Sequence, residues 1–296
     1  MRIFAAILTF ILAQASTLTT EQRRETVRAM EKALIEGYID ESVGRRVAEG
    51  LEKRVVTGEF DTQPDATTLA TALERALHAE HEDKHFLVWH GPLGELVKRA
   101  PGLSGPSVGR TEIMPSGIAY IEIRNFVGGE FDMAMAAAKD ASTIVFDVRE
   151  TPGGDRAPVL YLLSYLFSTP TVVWQSTSRA APALAPVSTL QDIHGDKRPT
   201  VRVFVLISGH TVSAAEAFVF ALKLTHRAVL VGERTGGAGH FVRFTPLPHG
   251  FFMLVPTGMS VDPATGKGFE GDGVAPDVET PAGRALDVAL KLARSQ

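Results

Sequence analysis

The chain has 296 residues, of which 45% are hydrophobic and 22% charged, a composition typical of a folded globular protein rather than a disordered one. Its formal charge of −4, without a long basic run, gives no indication of nucleic-acid binding. The chain has no cysteine, which excludes disulfides, a cysteine nucleophile and cysteine-based zinc sites.

Residues 1–15 predict a secretory signal peptide. Arg2 gives a positive start, residues 3–12 are apolar apart from one threonine, and residues 13–15 form an A-x-A cleavage pattern. We expect cleavage after Ala15 and an exported protein, periplasmic or secreted, with no stable membrane insertion. The alternative is a buried N-terminal helix. The apolar run is too short to span a bilayer.

Residues 16–90 predict a small helical domain. The run from Thr19 to Gln22 resembles a capping box, and Val27, Met30 and Leu34 follow at helical spacing. A second helix is expected to end near Gly58, and a third contains residues 69–77. Residues 91–115 are rich in glycine and proline and have no clear period, so we interpret them as a connector.

Residues 116–296 predict an α/β core domain. Apolar, β-branched runs that indicate strands alternate with helical patterns, which favours a buried and mostly parallel sheet. The predicted strands are 118–123, 143–148, 171–174, 201–207, 228–231 and 251–255, and the predicted helices are 132–139, 159–167 and 214–224.

Ser213 lies where the predicted strand 201–207 passes through a short polar turn into an Ala-rich helix. Backbone N–H groups and the positive end of the helix dipole at such a position can stabilise negative charge that develops beside the hydroxyl. The alternative is that Ser213 only caps the helix.

Three further loops carry polar or glycine-rich motifs. The run from Asp147 to Asp155 contains Pro152-Gly153-Gly154, whose backbone can adopt positive φ and direct N–H groups at an anion, although an ordinary strand-to-helix turn has the same composition. The other two loops are residues 231–240 and 268–277.

Four segments, in chain order, resemble motifs of peptidase family S41, which includes the tail-specific (C-terminal processing) proteases, the tricorn core protease and the interphotoreceptor retinoid-binding protein modules. They are residues 147–154, 211–216, 232–237 and 273–277. The resemblance spans roughly Thr20 to the C-terminus. It implies a crotonase-like core of ββα units with the site in the cleft beside the helical domain. Since residues 91–115 are too few for a PDZ domain, the chain is most similar to the subgroup that lacks one, which resembles the retinoid-binding protein.

One departure from the family motifs bears on the mechanism. The tail-specific branch uses a lysine as general base, and Ala238 stands at the corresponding place here, while Lys223 and Lys267 match no family motif. Resemblance to the tricorn branch implies a Ser-His-Glu triad instead. Its members would be Ser213 as nucleophile, His85 as base and Glu270 as the carboxylate that orients His85, with an oxyanion hole from the N–H groups of Ala214 and of Gly153 or Gly154.

The resemblance implies a serine-type peptidase that hydrolyses peptide bonds in peptides or unfolded proteins through an acyl-enzyme, with no metal or organic cofactor. His240 and His210 are competing candidates for the base. His78, His81 and His85, with Glu82, fall near one helix face but lack a zinc-protease spacing, so a solvated face is the expected interpretation.

Two other functions remain open from the sequence. The first is a non-catalytic binder of apolar ligands, which a deep apolar cavity away from Ser213 would favour. The second is acyl-CoA chemistry on the same fold, which the predicted export and the serine disfavour.

Overall fold

The computed structural model describes residues 18–92, 101–114 and 116–295. The predicted signal peptide and residues 93–100 of the predicted connector therefore lie outside the described residues.

Three helices form the N-terminal layer: α1 (Thr20–Gly37), α2 (Glu41–Val56) and α3 (Ala66–Glu80). Thr19 and Gln22 form the predicted capping box at the start of α1. Aspartate side chains accept backbone N–H bonds at the starts of the other two helices, at positions 40 and 65. The three predicted helices are thus present.

The first sheet consists of β1 (Leu87–His90), β5 (Val172–Ser178), β6 (Ala185–Ser188), β9 (His240–Pro246) and β10 (Phe251–Val261). Its order is β1-β10-β5-β6 with β9 also paired to β10, and all of these pairs are antiparallel. The side chains of Phe251, Met253 and Val255 on β10 belong to the same apolar cluster as those of the N-terminal helices. The helical layer therefore does not have a core of its own, and the domain boundaries at 90 and 115 stay predictions.

The second sheet consists of β2 (Val108–Met114), β3 (Ile118–Ile123), β4 (Thr143–Asp147), β7 (Arg202–Ile207), β8 (Val229–Gly232) and β11 (Val278–Glu279). Its order is β11-β8-β7-β4-β3-β2, and every pair except β2–β3 is parallel. The predicted mostly parallel sheet is therefore confirmed. The separate antiparallel sheet was not predicted, because no strand was expected over residues 240–246, which become β9 by pairing with β10.

Four more helices complete the described core: α4 (Phe131–Ala137), α5 (Arg156–Ser164), α6 (Ala214–Leu224) and α7 (Ala285–Arg294). Helix α6 is buried along nearly its whole length, which explains its apolar, Ala-rich sequence. Helix α7 covers the opposite face of the parallel sheet through Ala285 and Ala289. Among the described helices, none is both long and apolar enough to cross a bilayer.

The neighbouring strands β4 and β7 position the site. Because they are parallel, their carboxyl ends meet at the same edge of the sheet. The Gly153-Gly154 turn follows β4 and the Ser213 turn follows β7, so the fold brings these two predicted segments together.

Candidate active site

Ser213 occupies a backbone conformation that L residues rarely adopt. Its φ is +56° and its ψ is −121° at the first position of the turn into α6. Such a conformation costs about 1–3 kcal/mol and persists only where the surrounding structure holds it. The Ser213 N–H donates to the Glu216 carboxylate at 3.0 Å, which is one of the contacts that fix the turn.

Glu216 joins the serine turn to the loop after β8. Its carboxylate is fully buried and also accepts hydrogen bonds from the Thr235 hydroxyl and from the N–H groups of Gly237 and Ala238, each at 2.6 Å. Ala238 therefore contributes a backbone N–H to Glu216. Four donors on one buried carboxylate make this loop a fixed wall of the site.

The Gly153-Gly154 turn lies directly against Ser213. Both glycines have positive φ, +112° and +139°, and a Cβ on Gly153 would lie 2.8 Å from the Ser213 Cβ and 3.1 Å from the Ala214 nitrogen. The Phe126 N–H donates to the Gly153 carbonyl at 2.8 Å and holds the turn in place. Within the described residues, the N–H groups of Gly153, Gly154 and Ala214 donate to no acceptor. Three donors beside one hydroxyl can serve a developing oxyanion.

His85 faces the serine from the segment between α3 and β1. Its Nε2 lies 3.3 Å from the Ser213 Oγ, and its backbone N–H donates to Asp83 Oδ1 at 2.9 Å. Burial lowers the pKa of His85 to about 4, although the charge of Asp83 opposes this shift. The imidazole is therefore neutral near pH 7, the state in which its Nε2 can accept the serine proton.

Asp83 is the carboxylate that approaches the His85 ring. Its Oδ1 lies 3.7 Å from His85 Nδ1, an atom that is buried and has no hydrogen-bond partner in the described part of the chain. Its Oδ2 accepts a hydrogen bond from the Tyr38 hydroxyl at 2.9 Å and lies 2.7 Å from His240 Nδ1. These polar contacts hold the charge of a side chain that is only 1% exposed, and they keep its pKa below the usual range despite the opposing effect of burial.

Glu270 contacts His240 rather than His85. Its Oε2 accepts the N–H groups of Gly239 at 2.5 Å and of His240 at 3.0 Å, and it lies 3.6 Å from His240 Nδ1. Among the described residues, no ion pair within 4 Å joins Glu270 to His85. The carboxylate within that distance of the His85 ring belongs to Asp83. Asp83 stands two residues before His85, but sequence reasoning missed its role and that of Tyr38.

The other candidate histidines point elsewhere. His210 is 76% exposed and its Nδ1 lies 3.0 Å from the Glu150 carboxylate. His78 Nε2 lies 3.1 Å from the Phe86 carbonyl, and His81 forms the end of α3, where its ring contacts Tyr38 edge-on. These side chains do not converge with His85 on one metal-binding face.

The candidate lysines also lie outside a serine–lysine arrangement. Lys223 pairs with Asp277 at 2.8 Å, and Lys267 is exposed. Lys84 donates to the Gly236 carbonyl beside the site. Of the residues that the structure describes, His85 is the one whose ring nitrogen lies within hydrogen-bond distance of the Ser213 hydroxyl.

A cleft of about 350 Å³ opens at the serine. Its apolar part is formed by Trp174, Ala217, Phe241 and Phe269. A larger cleft of about 700 Å³ lies elsewhere, and charged side chains are part of its lining, among them Glu122, Arg124, Asp147, Arg149 and Glu150.

The site has the elements of a serine hydrolase. They are a serine at a strained strand-to-helix turn, a neutral imidazole at its hydroxyl, and N–H groups beside it that have no acceptor among the described residues. The model of peptidase family S41 matches residues 117–280, which is more than half of the chain. The chain therefore belongs to peptidase family S41. Ser213 and Glu270 fall inside the matched region, whereas His85 and Asp83 lie before it.

The chain is similar to the chloroplastic carboxyl-terminal-processing peptidase 1 of Arabidopsis thaliana, with 29% identity over 199 residues, or 63% of this chain and 39% of that protein. It thus spans well under two thirds of the length of the curated relatives it matches.

Two solved structures share the fold. A lipoprotein from Streptococcus agalactiae superposes with a TM-score of 0.68 at 14% identity and covers 100% of this chain and 99% of its own. The photosystem II D1 C-terminal processing protease gives a TM-score of 0.58 at 15% identity and covers 88% and 93%. The predicted α/β architecture of the family is thereby confirmed.

Proposed function

We propose that the protein is a serine-type peptidase that hydrolyses peptide bonds through an acyl-enzyme. The observation that carries the proposal is the 3.3 Å approach of Ser213 Oγ to His85 Nε2, next to three backbone N–H groups without partners in the described chain. A nucleophile, a base in its neutral form and donors for an oxyanion are the minimum set for acyl transfer.

In the first half of the reaction, Ser213 Oγ bonds to the carbonyl carbon of the substrate and its proton passes to His85 Nε2. The N–H groups of Ala214 and of Gly153 or Gly154 stabilise the oxyanion. The carbon–nitrogen bond then breaks, and His85 returns the proton to the leaving amine.

In the second half, water attacks the ester while His85 takes its proton. The carboxylic acid leaves, and Ser213 Oγ regains a proton from His85. Asp83 stabilises the His85 imidazolium that forms in each half, and its 3.7 Å separation shortens as that positive charge develops. The predicted role of Glu270 becomes indirect, because Glu270 reaches Asp83 through His240.

The proposed substrates are peptides or unfolded proteins with an apolar side chain at the scissile bond, because the cleft at Ser213 is lined by Trp174, Ala217 and Phe269. We also retain the proposals of export through residues 1–15 and of similarity to the subgroup without a PDZ domain. We favour the peptidase over the apolar-ligand binder, because Ser213 itself lines the apolar cleft and His85 lies at its hydroxyl.

A fluorophosphonate probe tests the proposal without knowledge of the substrate. We expect it to label wild-type protein on Ser213, as located by peptide mass spectrometry, and not to label Ser213→Ala. His85→Ala should reduce the labelling rate about 1,000-fold or more, since the base is lost. His249→Ala is the matched control, because His249 pairs with Glu25 and lies at the far end of β9. A folded wild-type protein that is not labelled would contradict the proposal.

A further inference from the structure

Behind His85 lies a cluster of three ionisable side chains: Asp83, His240 and Glu270. His240 Nδ1 lies 2.7 Å from Asp83 Oδ2 and 3.6 Å from Glu270 Oε2, so one ring nitrogen faces two carboxylates. The His240 side chain is 7% exposed and that of Asp83 is 1% exposed. At this depth, the charges must be balanced within the cluster itself.

His240 is the group that can balance them. Among the described residues, no lysine or arginine lies within ion-pair distance of Asp83 or Glu270. Burial acts to lower the pKa of His240, but the hydrogen bond to Asp83 and the charges of Glu270 and Asp83 outweigh it and raise that pKa above its usual value. The ring is thereby favoured as an imidazolium between the two carboxylates.

We propose that His240, as an imidazolium shared by Asp83 and Glu270, is a positioning residue that keeps Asp83 ionised and directed at His85. The inference rests on the proposed function, because Asp83 matters only if His85 acts as a base. Asp83 uses Oδ2 for His240 and the Tyr38 hydroxyl, which leaves Oδ1 on the side of His85. His240 therefore acts on the reaction through Asp83 and His85.

The groups around His240 determine how the cluster responds to pH. Asp83 faces His240 from the segment after α3, and Glu270 faces it from the loop before β11. Tyr38, at the end of α1, lies edge-on to the His240 ring, with 6.1 Å between the ring centroids. His81 and His85 are the further titratable groups of this region, and burial lowers the pKa of both, with a smaller contribution from the charge of His240.

The sign of the pH dependence follows from these neighbours. While His240 is protonated, its positive charge lies between the two carboxylates. When the pH rises through the raised pKa of His240, the ring loses its proton and the repulsion between Asp83 and Glu270 is no longer compensated. Asp83 then loses the charged donor that fixes its Oδ2. The rate at which Ser213 reacts should therefore fall as the pH rises above the pKa of His240.

The same three groups have the composition of a metal site, since one donor atom from each lies within 4.8 Å of the others. A shared proton fits the contacts better. Glu270 Oε2 already accepts two backbone N–H bonds, and Asp83 Oδ2 already accepts the Tyr38 hydroxyl. A metal would have to displace these donors or compete with them.

The experiment compares the fluorophosphonate labelling rate of full-length wild type and His240→Asn between pH 5 and 10. Asparagine retains an N–H donor close to the position of Nδ1 but cannot carry the charge. We expect wild type to lose labelling rate on the alkaline side. His240→Asn should lack that decline and react about 100-fold more slowly at pH 7, the scale of a misplaced catalytic group. His249→Asn, the control, should keep the wild-type profile.

A His240→Asn profile with the wild-type rate and the wild-type alkaline decline would overturn the inference. Loss of wild-type labelling in EDTA would overturn it as well, since it would show a bound metal in place of the shared proton. If His240→Asn does not fold, Glu270→Gln replaces it and should move the alkaline decline to lower pH, whereas an unmoved decline would contradict the proposal. Absence of labelling in wild type would instead contradict the proposed peptidase function.

Discussion

His85 and His240 lie on two sides of the same carboxylate and meet opposite electrostatic surroundings. His85 faces Ser213, and burial together with the positive charges of His240 and Lys84 lowers its pKa to about 4. His240 meets a second carboxylate, that of Glu270, and its pKa rises. One aspartate thus has a neutral imidazole on one side and a charged one on the other. The short contact with Asp83 and the second carboxylate together favour the proton on His240.

Loss of Asp83 should have the largest effect, because both histidines depend on it. In Asp83→Asn the His85 imidazolium loses its stabilising charge and His240 loses its closest hydrogen-bond partner. We expect the fluorophosphonate labelling rate at pH 7 to fall about 1,000-fold to 10,000-fold. Asp272→Asn is the matched control, since Asp272 is exposed and lies two residues after Glu270. A loss of less than about 10-fold in Asp83→Asn would show that the two rings do not share a functional carboxylate.

Removal of the charge of Lys84 should have the smallest effect and sharpens the comparison. Lys84 lowers the pKa of His85 less than burial does, and its ammonium donates to the Gly236 carbonyl. In Lys84→Gln the acidic limb of the labelling rate should therefore move to higher pH by less than one unit. The alkaline limb should stay in place, and Lys267→Gln serves as the exposed control. A shift of the acidic limb to lower pH would contradict the assigned sign.

The nucleophile turn could be predicted from the sequence because it depends on local structure. Each of its parts is encoded by about ten consecutive residues or fewer: the strand before Ser213, the apolar helix after it, and the Gly153-Gly154 pair. The structure keeps all three, and the helix over Ala214–Leu224 has the predicted bounds. Parallel neighbours β4 and β7 then bring the two turns together.

The cluster of Asp83, His240 and Glu270 could not be predicted in this way, because it depends on contacts between residues far apart in the sequence. The hydrogen bond between Asp83 and Tyr38 joins residues 45 positions apart, and that between Asp83 and His240 joins residues 157 apart. Family resemblance suggested roles for His85 and Glu270, whereas His240 was expected only as a competing base and Asp83 had no predicted role. The pairing of β9 with β10 places His240 there, and β9 was not predicted as a strand.

The most direct test of this account is an NMR titration of the protein with isotope-labelled histidine. The chain has nine histidines, and His85→Ala and His240→Asn would assign the two relevant imidazole signals. We predict that His85 stays neutral down to about pH 4 and that His240 keeps its proton to a higher pH than a free imidazole does. A His85 that holds its proton to a higher pH than His240 does would contradict this assignment.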